Sequence, residues 1–231
     1  MWKEFWAVHV PEFCHKEPYA IVCNGDATDG VHHNSVTQIS HNLSDQSKIA
    51  YEILHPLLKL CKGRYYHIRG TEAHVGPSGQ DEESLARSLG AIPDQDGRRA
   101  PWEIYFRIKQ ALIHVAHHIG TAGSMAYESS ALSRELSEAY VEAGRWGNEP
   151  PDVIARSHRH RNTEVRIQTK KGFCTVLTTA GWQLKTPFTQ RIAGARQAMP
   201  QIGGTVVRVG DHDIYTRHKI WTIGRSEEVK L

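Results

Sequence analysis

Tyr19-Ala20-Ile21-Val22-Cys23-Asn24-Gly25-Asp26-Ala27-Thr28-Asp29 is the stretch on which the reading of this chain turns. Its first five residues are a short apolar run without alternation, the pattern of a strand covered on both faces in a parallel sheet. The run stops at Asn24-Gly25, and two carboxylates follow at once. Open α/β sheets build their sites where parallel strands end. A carboxylate there can bridge two metal ions about 3.5–4 Å apart. The plain alternative is a polar turn that Asp29-Gly30 closes.

Three further clusters lie downstream, each after a β-like segment. Tyr65-Tyr66-His67-Ile68 runs into Arg69-Gly70-Thr71-Glu72-Ala73-His74. Trp102 to His117 alternates, suggests two strands, and ends at His117-His118. Val153-Ile154-Ala155 runs into Ser157-His158-Arg159-His160. The chain holds 15 histidines, and neutral imidazole and carboxylate oxygen are ligands for zinc, manganese and iron. On extended backbone, residues i and i+2 point the same way, so His158 and His160 can reach one centre. Each cluster alone also has an ordinary explanation: a basic surface stretch around Arg156, Arg159 and Arg161, or a polar cap at a strand end. Their conjunction points to a metal centre. No His-Glu-x-x-His helix, Cys-x-x-Cys pair or Gly-x-x-x-x-Gly-Lys loop competes with it.

The remaining patterns place these clusters in a fold. Trp2 to Cys14, Asp45 to Cys61 (with a kink at Pro56), Asp81 to Leu89 and Ala126 to Ala143 carry helical spacing. Ala91 to Pro101 is turn-rich and predicts a loop. Beyond residue 160 strands dominate: Val165–Ile167, Phe173–Leu177, Thr205–Val209 and Ile214–Trp221. Alternating helix and strand followed by strands predicts an α/β sandwich of two sheets. We read residues 1–231 as a single domain, with 1–160 bearing the motifs and 161–231 forming a β-rich second sheet.

Composition excludes little. Hydrophobic residues are 39%, charged residues 23%, and the formal net charge is +3, so charge alone gives no basis for nucleic-acid binding. No apolar stretch reaches the 18 residues of a membrane span, and the N-terminus has no secretory core. The four cysteines (Cys14, Cys23, Cys61, Cys174) are scattered and three lie in apolar segments. Reduced thiols and a cytoplasmic location are the expectation.

The order of these clusters resembles the calcineurin-like metallophosphoesterases, whose motifs run Asp-x-His, Gly-Asp-x-x-Asp, Gly-Asn-His-Asp/Glu, a His often followed by a second, and Gly-His-x-His. Gly25–Asp29 is similar to the second, His117-His118 to the fourth, and Ser157–His160 to the fifth with Ser157 in place of Gly; the likeness spans about residues 19 to 160. It implies an αββα sandwich of two sheets and two divalent ions (manganese, iron or zinc). It also implies hydrolysis of a phosphoester, more specifically a phosphodiester, with nucleotides or nucleic acid as substrate candidates. The third motif departs: Thr71-Glu72 stands where Asn-His is usual. We assign the ligand role there to Glu72 and the acid role to His74. The first motif is absent, because the chain begins in the helix that should follow it. The expectation is therefore a sandwich with its first strand missing. One ion would keep Asp26 and His160, and the other Asp26, His117, His158 and Glu72. Arg69, Arg159, His32 and His33 are candidates to hold phosphate. The competing expectation is a truncated or degenerate metal-binding domain that binds without catalysis. A metallo-β-lactamase-like run would need Asp and His where Asn162 and Thr163 stand.

Overall fold

The computed structural model describes residues 1–31, 36–76, 78–120, 125–184, 186–187 and 201–224. It is a mixed α/β structure whose largest sheet has five strands in the order β3-β4-β5-β7-β6. Strands β3 (Glu103–Ile108) and β4 (Ala111–Ala116) form an antiparallel pair, as do β6 (Thr163–Thr169) and β7 (Gly172–Thr178). Between them β4, β5 (Val153–Arg156) and β7 run parallel. A separate parallel pair joins β1 (Ile21–Asn24) to β2 (Tyr65–Ile68), and an antiparallel pair joins β8 (Gln201–Val209) to β9 (Ile214–Thr222).

Alternation decides what each strand residue meets. On β1 and β2, Ile21 and Tyr65 face helices α3 (Leu43–Leu54), α4 (Leu57–Leu60) and α6 (Gln80–Ser88), where they join Ala50, Leu57, Leu85, Ala86 and Leu89. Val22 and Ile68 face the other way, onto Ala111, Ile113 and Val115 of β4 and Val153 and Ala155 of β5. Val207, Val209 and Ile214 of β8 and β9 enter that same inner core. The outer face of the five-stranded sheet is covered by α7 (Glu128–Trp146), whose Ala131, Leu132 and Leu136 pack on Ile154, Cys174 and Val176.

The expected kink at Pro56 is a break. Pro56 has no N–H and clashes with the preceding turn, so α3 stops at Leu54 and α4 restarts at Leu57. Helix α3 begins at Asn42, whose side chain accepts a hydrogen bond from Ser44 N at 3.0 Å. The first helical segment runs from α1 (Trp2–Glu4) through a π turn (Phe5–His9) into α2 (Val10–Phe13). It packs Phe5 and Val10 on Val206 and Trp221. The two-sheet expectation needs a correction in detail: among the described residues, hydrogen bonding gives three sheets. Strand β1 pairs only with β2, and β8 only with β9 apart from one isolated bridge between Gly181 and Ile202. A cavity of about 450 Å³ lies between β1 and β8, lined by Trp2, Phe5, Trp182 and Asp26 among others. No described helix is long and apolar enough to cross a membrane. All four cysteines are free thiols.

Candidate metal centre

The inner-facing series of three strands continues past their ends and delivers the site. Beyond Ile113 and Val115 comes His117; beyond Val153 and Ala155 comes Ser157; beyond Leu177 comes Thr179. Asn24, the last residue of β1, ties these ends together. Its side-chain amide donates to Ala116 O at 3.1 Å and to Ser157 Oγ at 2.7 Å, and Ser157 Oγ lies 2.8 Å from Thr179 Oγ1. The chain then turns at Gly25, where φ is +80° and a Cβ would come within 2.5 Å of His117 Nδ1. Only glycine fits that turn without strain. Asp26 follows with φ +55°, and His158 and His160 have φ +67° and +53°. A left-handed backbone at three non-glycine residues of one cleft is the kind of local strain that concentrates at functional sites.

Asp26 is held from the β2 side. Thr71 N donates to its Oδ1 at 2.6 Å, and Thr71 Oγ1 lies 3.3 Å from Oδ2. The same hydroxyl is 3.0 Å from His158 Nδ1. His117 Nδ1 is 2.5 Å from the Asn24 carbonyl, so this nitrogen carries the proton and donates it. Its other nitrogen, Nε2, is 2.9 Å from Asp26 Oδ2, yet it is buried and has no hydrogen-bond partner. A ring nitrogen and a carboxylate oxygen thus meet at contact distance off the direction of a hydrogen bond: an ion pair when the imidazole is protonated, and two donor atoms facing one point when it is not. Two ligand atoms aimed at a shared cation take this arrangement, and a carbonyl holding the remote N–H is how metal-binding histidines are usually oriented. Asp26, His117 and His158 each offer one ligand atom, all within 4.8 Å of one another.

Electrostatics suits ligation. Burial opposes ionisation of Asp26, but contact with His117 and the charge of His74 outweigh it and hold the carboxyl at about 2. Desolvation in the cleft, followed by the charge of His117, pushes His158 down to about 4. Burial likewise lowers His160 and His118. For His117 burial works against the charged form, while the Asp26 carboxylate beside it raises the imidazole. Ionised Asp26 and neutral His158 and His160 are the states that bind a metal.

The other expected site residues divide into three groups. His160 and His74 line the cavity with Asp26; His160 packs on Gly181, and His74 Nε2 is 3.9 Å from Asp26 Oδ2 while its Nδ1 lies 2.8 Å from the Asp29 carbonyl. Glu72, Arg69 and Arg159 are not drawn into the ligand group. Glu72 is exposed in the first turn of α5 (Glu72–Val75). Arg69 stacks on Trp102, 5.2 Å from the ring centroid, and Arg159 donates to the Gly120 carbonyl. His32 and His33 lie outside the described residues. Sequence reasoning missed Asn24 and Thr71 as the residues that orient the ligands; His118, singled out with His117, has its ring 5.4 Å from that of His158. Asn24 had a signal: it ends an apolar strand on the inner-facing register of Val22.

No family model and no curated protein matches the sequence. Solved structures similar to this chain include Vacuolar Protein Sorting 29 from Cryptosporidium parvum, 12% identical, covering 88% of this chain and 97% of that one with a TM-score of 0.34. The solution structure of a Thermotoga maritima protein is 11% identical, covers 87% and 97%, and has a TM-score of 0.37. A hypothetical protein from Thermus thermophilus is 13% identical, covers 94% and 92%, and has a TM-score of 0.42. Likenesses of this size assign this chain neither a reaction nor a partner, and the chemistry rests on its own side chains.

Proposed function

We propose that this chain is a metal-dependent phosphoester hydrolase of the calcineurin-like type. In this reading β2-β1 and β8-β9 make up one interrupted layer facing the five-stranded sheet. The observation that carries the proposal is the 2.9 Å approach of His117 Nε2 to Asp26 Oδ2 without a hydrogen bond, beside His158. Asp26, His117 and His158 would hold one divalent ion, manganese, iron or zinc, with His160 within reach of the same cleft. A bound ion supplies a water of near-neutral pKa and polarises a phosphoryl oxygen. The chain's own residues do the rest. Asn24 and Thr71 hold the ligands in place. His74 Nδ1 is committed to the Asp29 carbonyl, which leaves Nε2 toward the cleft; in its imidazolium form His74 would give the Nε2 proton to a departing oxygen and be left neutral. The substrate would be a phosphodiester, with nucleotides as the first class to test.

A second reading has one observation in its favour. Glu72 stays outside the ligand group, and among the described residues a single group of three ligands forms. A domain that binds one ion and does not catalyse would look the same. The deciding experiment is hydrolysis of bis(p-nitrophenyl) phosphate with added Mn2+, read alongside ion stoichiometry by calorimetry. Turnover that rises with Mn2+ and disappears in Asp26→Ala supports the hydrolase. One bound ion with no turnover on mono- or diesters supports the binding domain, and no bound ion overturns both.

A further inference from the structure

Beneath the cleft lies a buried polar chain that the proposed chemistry does not use. Glu82, in the first turn of α6, and His67, on the helix-facing side of β2, are 2% and 0% exposed. His67 Nε2 is 3.0 Å from Glu82 Oε1, and His67 Nδ1 is 2.9 Å from the Tyr65 hydroxyl. Tyr65 in turn lies beside the Cys23 thiol. The backbone supplies two more donors: Gly70 N reaches Glu82 Oε2 at 2.5 Å, and Ala27 N reaches Oε1 at 3.3 Å.

Backbone N–H groups can only donate, so Glu82 accepts at both oxygens, from Gly70 and from Ala27. His67 bridges the Glu82 carboxyl and the Tyr65 hydroxyl through its two ring nitrogens. A buried carboxylate is costly unless its oxygens are met in this way.

The two backbone donors are informative because of their neighbours. Ala27 follows Asp26 directly. Gly70 precedes Thr71, whose N–H holds Asp26 Oδ1. Gly70 has no room for a Cβ, which would run into the Asp26 carboxylate and backbone. A single carboxylate therefore pins the loop after β1 and the loop after β2 at the two points that flank Asp26.

We infer that Glu82, oriented by His67, is a positioning residue that fixes the Asp26 carboxylate for cation binding by clamping Ala27 and Gly70 together. The inference rests on the proposed metal centre for its ligand, and on the hydrogen-bond geometry alone for the clamp. Glu82 touches neither the ion nor a substrate in this scheme; it acts through backbone amides. Outer-sphere partners of this kind typically change metal affinity by about 10- to 100-fold when replaced.

The test uses full-length protein, Mn2+ as probe, and amide hydrogen exchange as a readout independent of the ion. In Glu82→Gln the oxygen retained on the amide can serve Gly70 or the pair of Ala27 and His67, but not both. Mn2+ affinity should fall by about 10-fold or more, and the Thr71 amide should exchange faster although Glu82 does not bond it. His67→Gln keeps the carboxylate, is the milder variant should Glu82→Gln fail to fold, and should move both readouts in the same direction by less. Faster exchange at Ala27 and Gly70 with Thr71 protection and Mn2+ affinity unchanged, in whichever variant folds, would reduce Glu82 to a structural residue and overturn the inference. If wild-type protein binds no Mn2+, the metal reading fails by itself, and Thr71 exchange still decides the clamp.

Discussion

His114 and His117 sit three residues apart near the same strand end, and the two are opposites. His114 faces away from the inner core and is fully engaged. Its Nε2 is 2.7 Å from Glu103 Oε2, its Nδ1 is 3.2 Å from Arg156 Nη2, and its ring stacks on Tyr105 at 4.2 Å. Arg156 is itself tied to Glu135 at 2.9 Å. His117 faces inward and is half engaged: Nδ1 has the Asn24 carbonyl, while Nε2 meets a carboxylate oxygen with no hydrogen bond between them. Histidine content therefore says little by itself. Whether the second ring nitrogen is satisfied within the protein separates a structural imidazole from a ligand.

The largest expected effect breaks this contrast directly. His117→Ala removes a ligand and should lower Mn2+ affinity by about 100-fold or more, above the range for outer-sphere partners. His114→Ala should leave it within about 3-fold, because distant sites with no shared partner act independently. Calorimetric titration of both variants checks this. Equal losses would mean that the inner and outer networks act as one, and that His117 has no special role.

A smaller effect inverts the ranking. Arg156 is buried, and its guanidinium serves Glu135 and His114 together. Arg156→Met strands a buried acceptor and a partly buried carboxylate, and should cost about 3 kcal/mol in chemical denaturation with Mn2+ binding intact. An unchanged midpoint would show that the outer network contributes little beyond filling space.

How legible these differences were depends on what each residue's neighbours are. Asp26 and His117 could be placed together because the ends of parallel strands are local features of sequence. His158, however, lies one residue past the inward series Val153, Ala155 and Ser157. It and His160 have left-handed backbone (φ +67° and +53°) where extended chain was expected, and that turn, not alternation, brings His158 into the cleft. The separation of β1-β2 from β8-β9 was not legible, since sheet membership depends on contacts distant in sequence. Glu72 reads as a ligand by position after β2, but the chain enters α5 there and turns the side chain to solvent. Glu82 reads as part of a solvated acidic run, Asp81-Glu82-Glu83. A signal was nonetheless present: Glu82, Leu85, Ala86 and Leu89 follow helical spacing, so Glu82 lies on the buried stripe. An acidic residue on an apolar stripe requires donors, and here His67 and two loop amides supply them. His32 and His33 fall outside the described residues, and their expected contact with phosphate stays an expectation.

The smallest effect is also the sharpest discriminator, because the two histidines should respond to pH with opposite signs. Burial, followed by the Arg156 charge, lowers His114 below its ordinary value. The unfolded chain, with its histidine near 6.5, then takes up more protons than the folded one as pH falls. Stability linked to His114 is present above about pH 6.5 and is lost on acidification toward its folded value. His117 is raised, since the Asp26 carboxylate outweighs burial. Without an ion its contribution is present below about pH 6.5 and is lost as pH rises through its folded value. Between about pH 6 and pH 8, the stability difference between wild type and His114→Gln should therefore grow, while that between wild type and His117→Gln should shrink. Mn2+ should reverse the second trend alone: an ion at Nε2 competes with the proton there, so binding strengthens as the proton leaves. Thermal melts across this range, with and without Mn2+, read all four slopes. If the His117 trend keeps its sign when Mn2+ is added, the nitrogen facing Asp26 is a proton site and not a metal ligand.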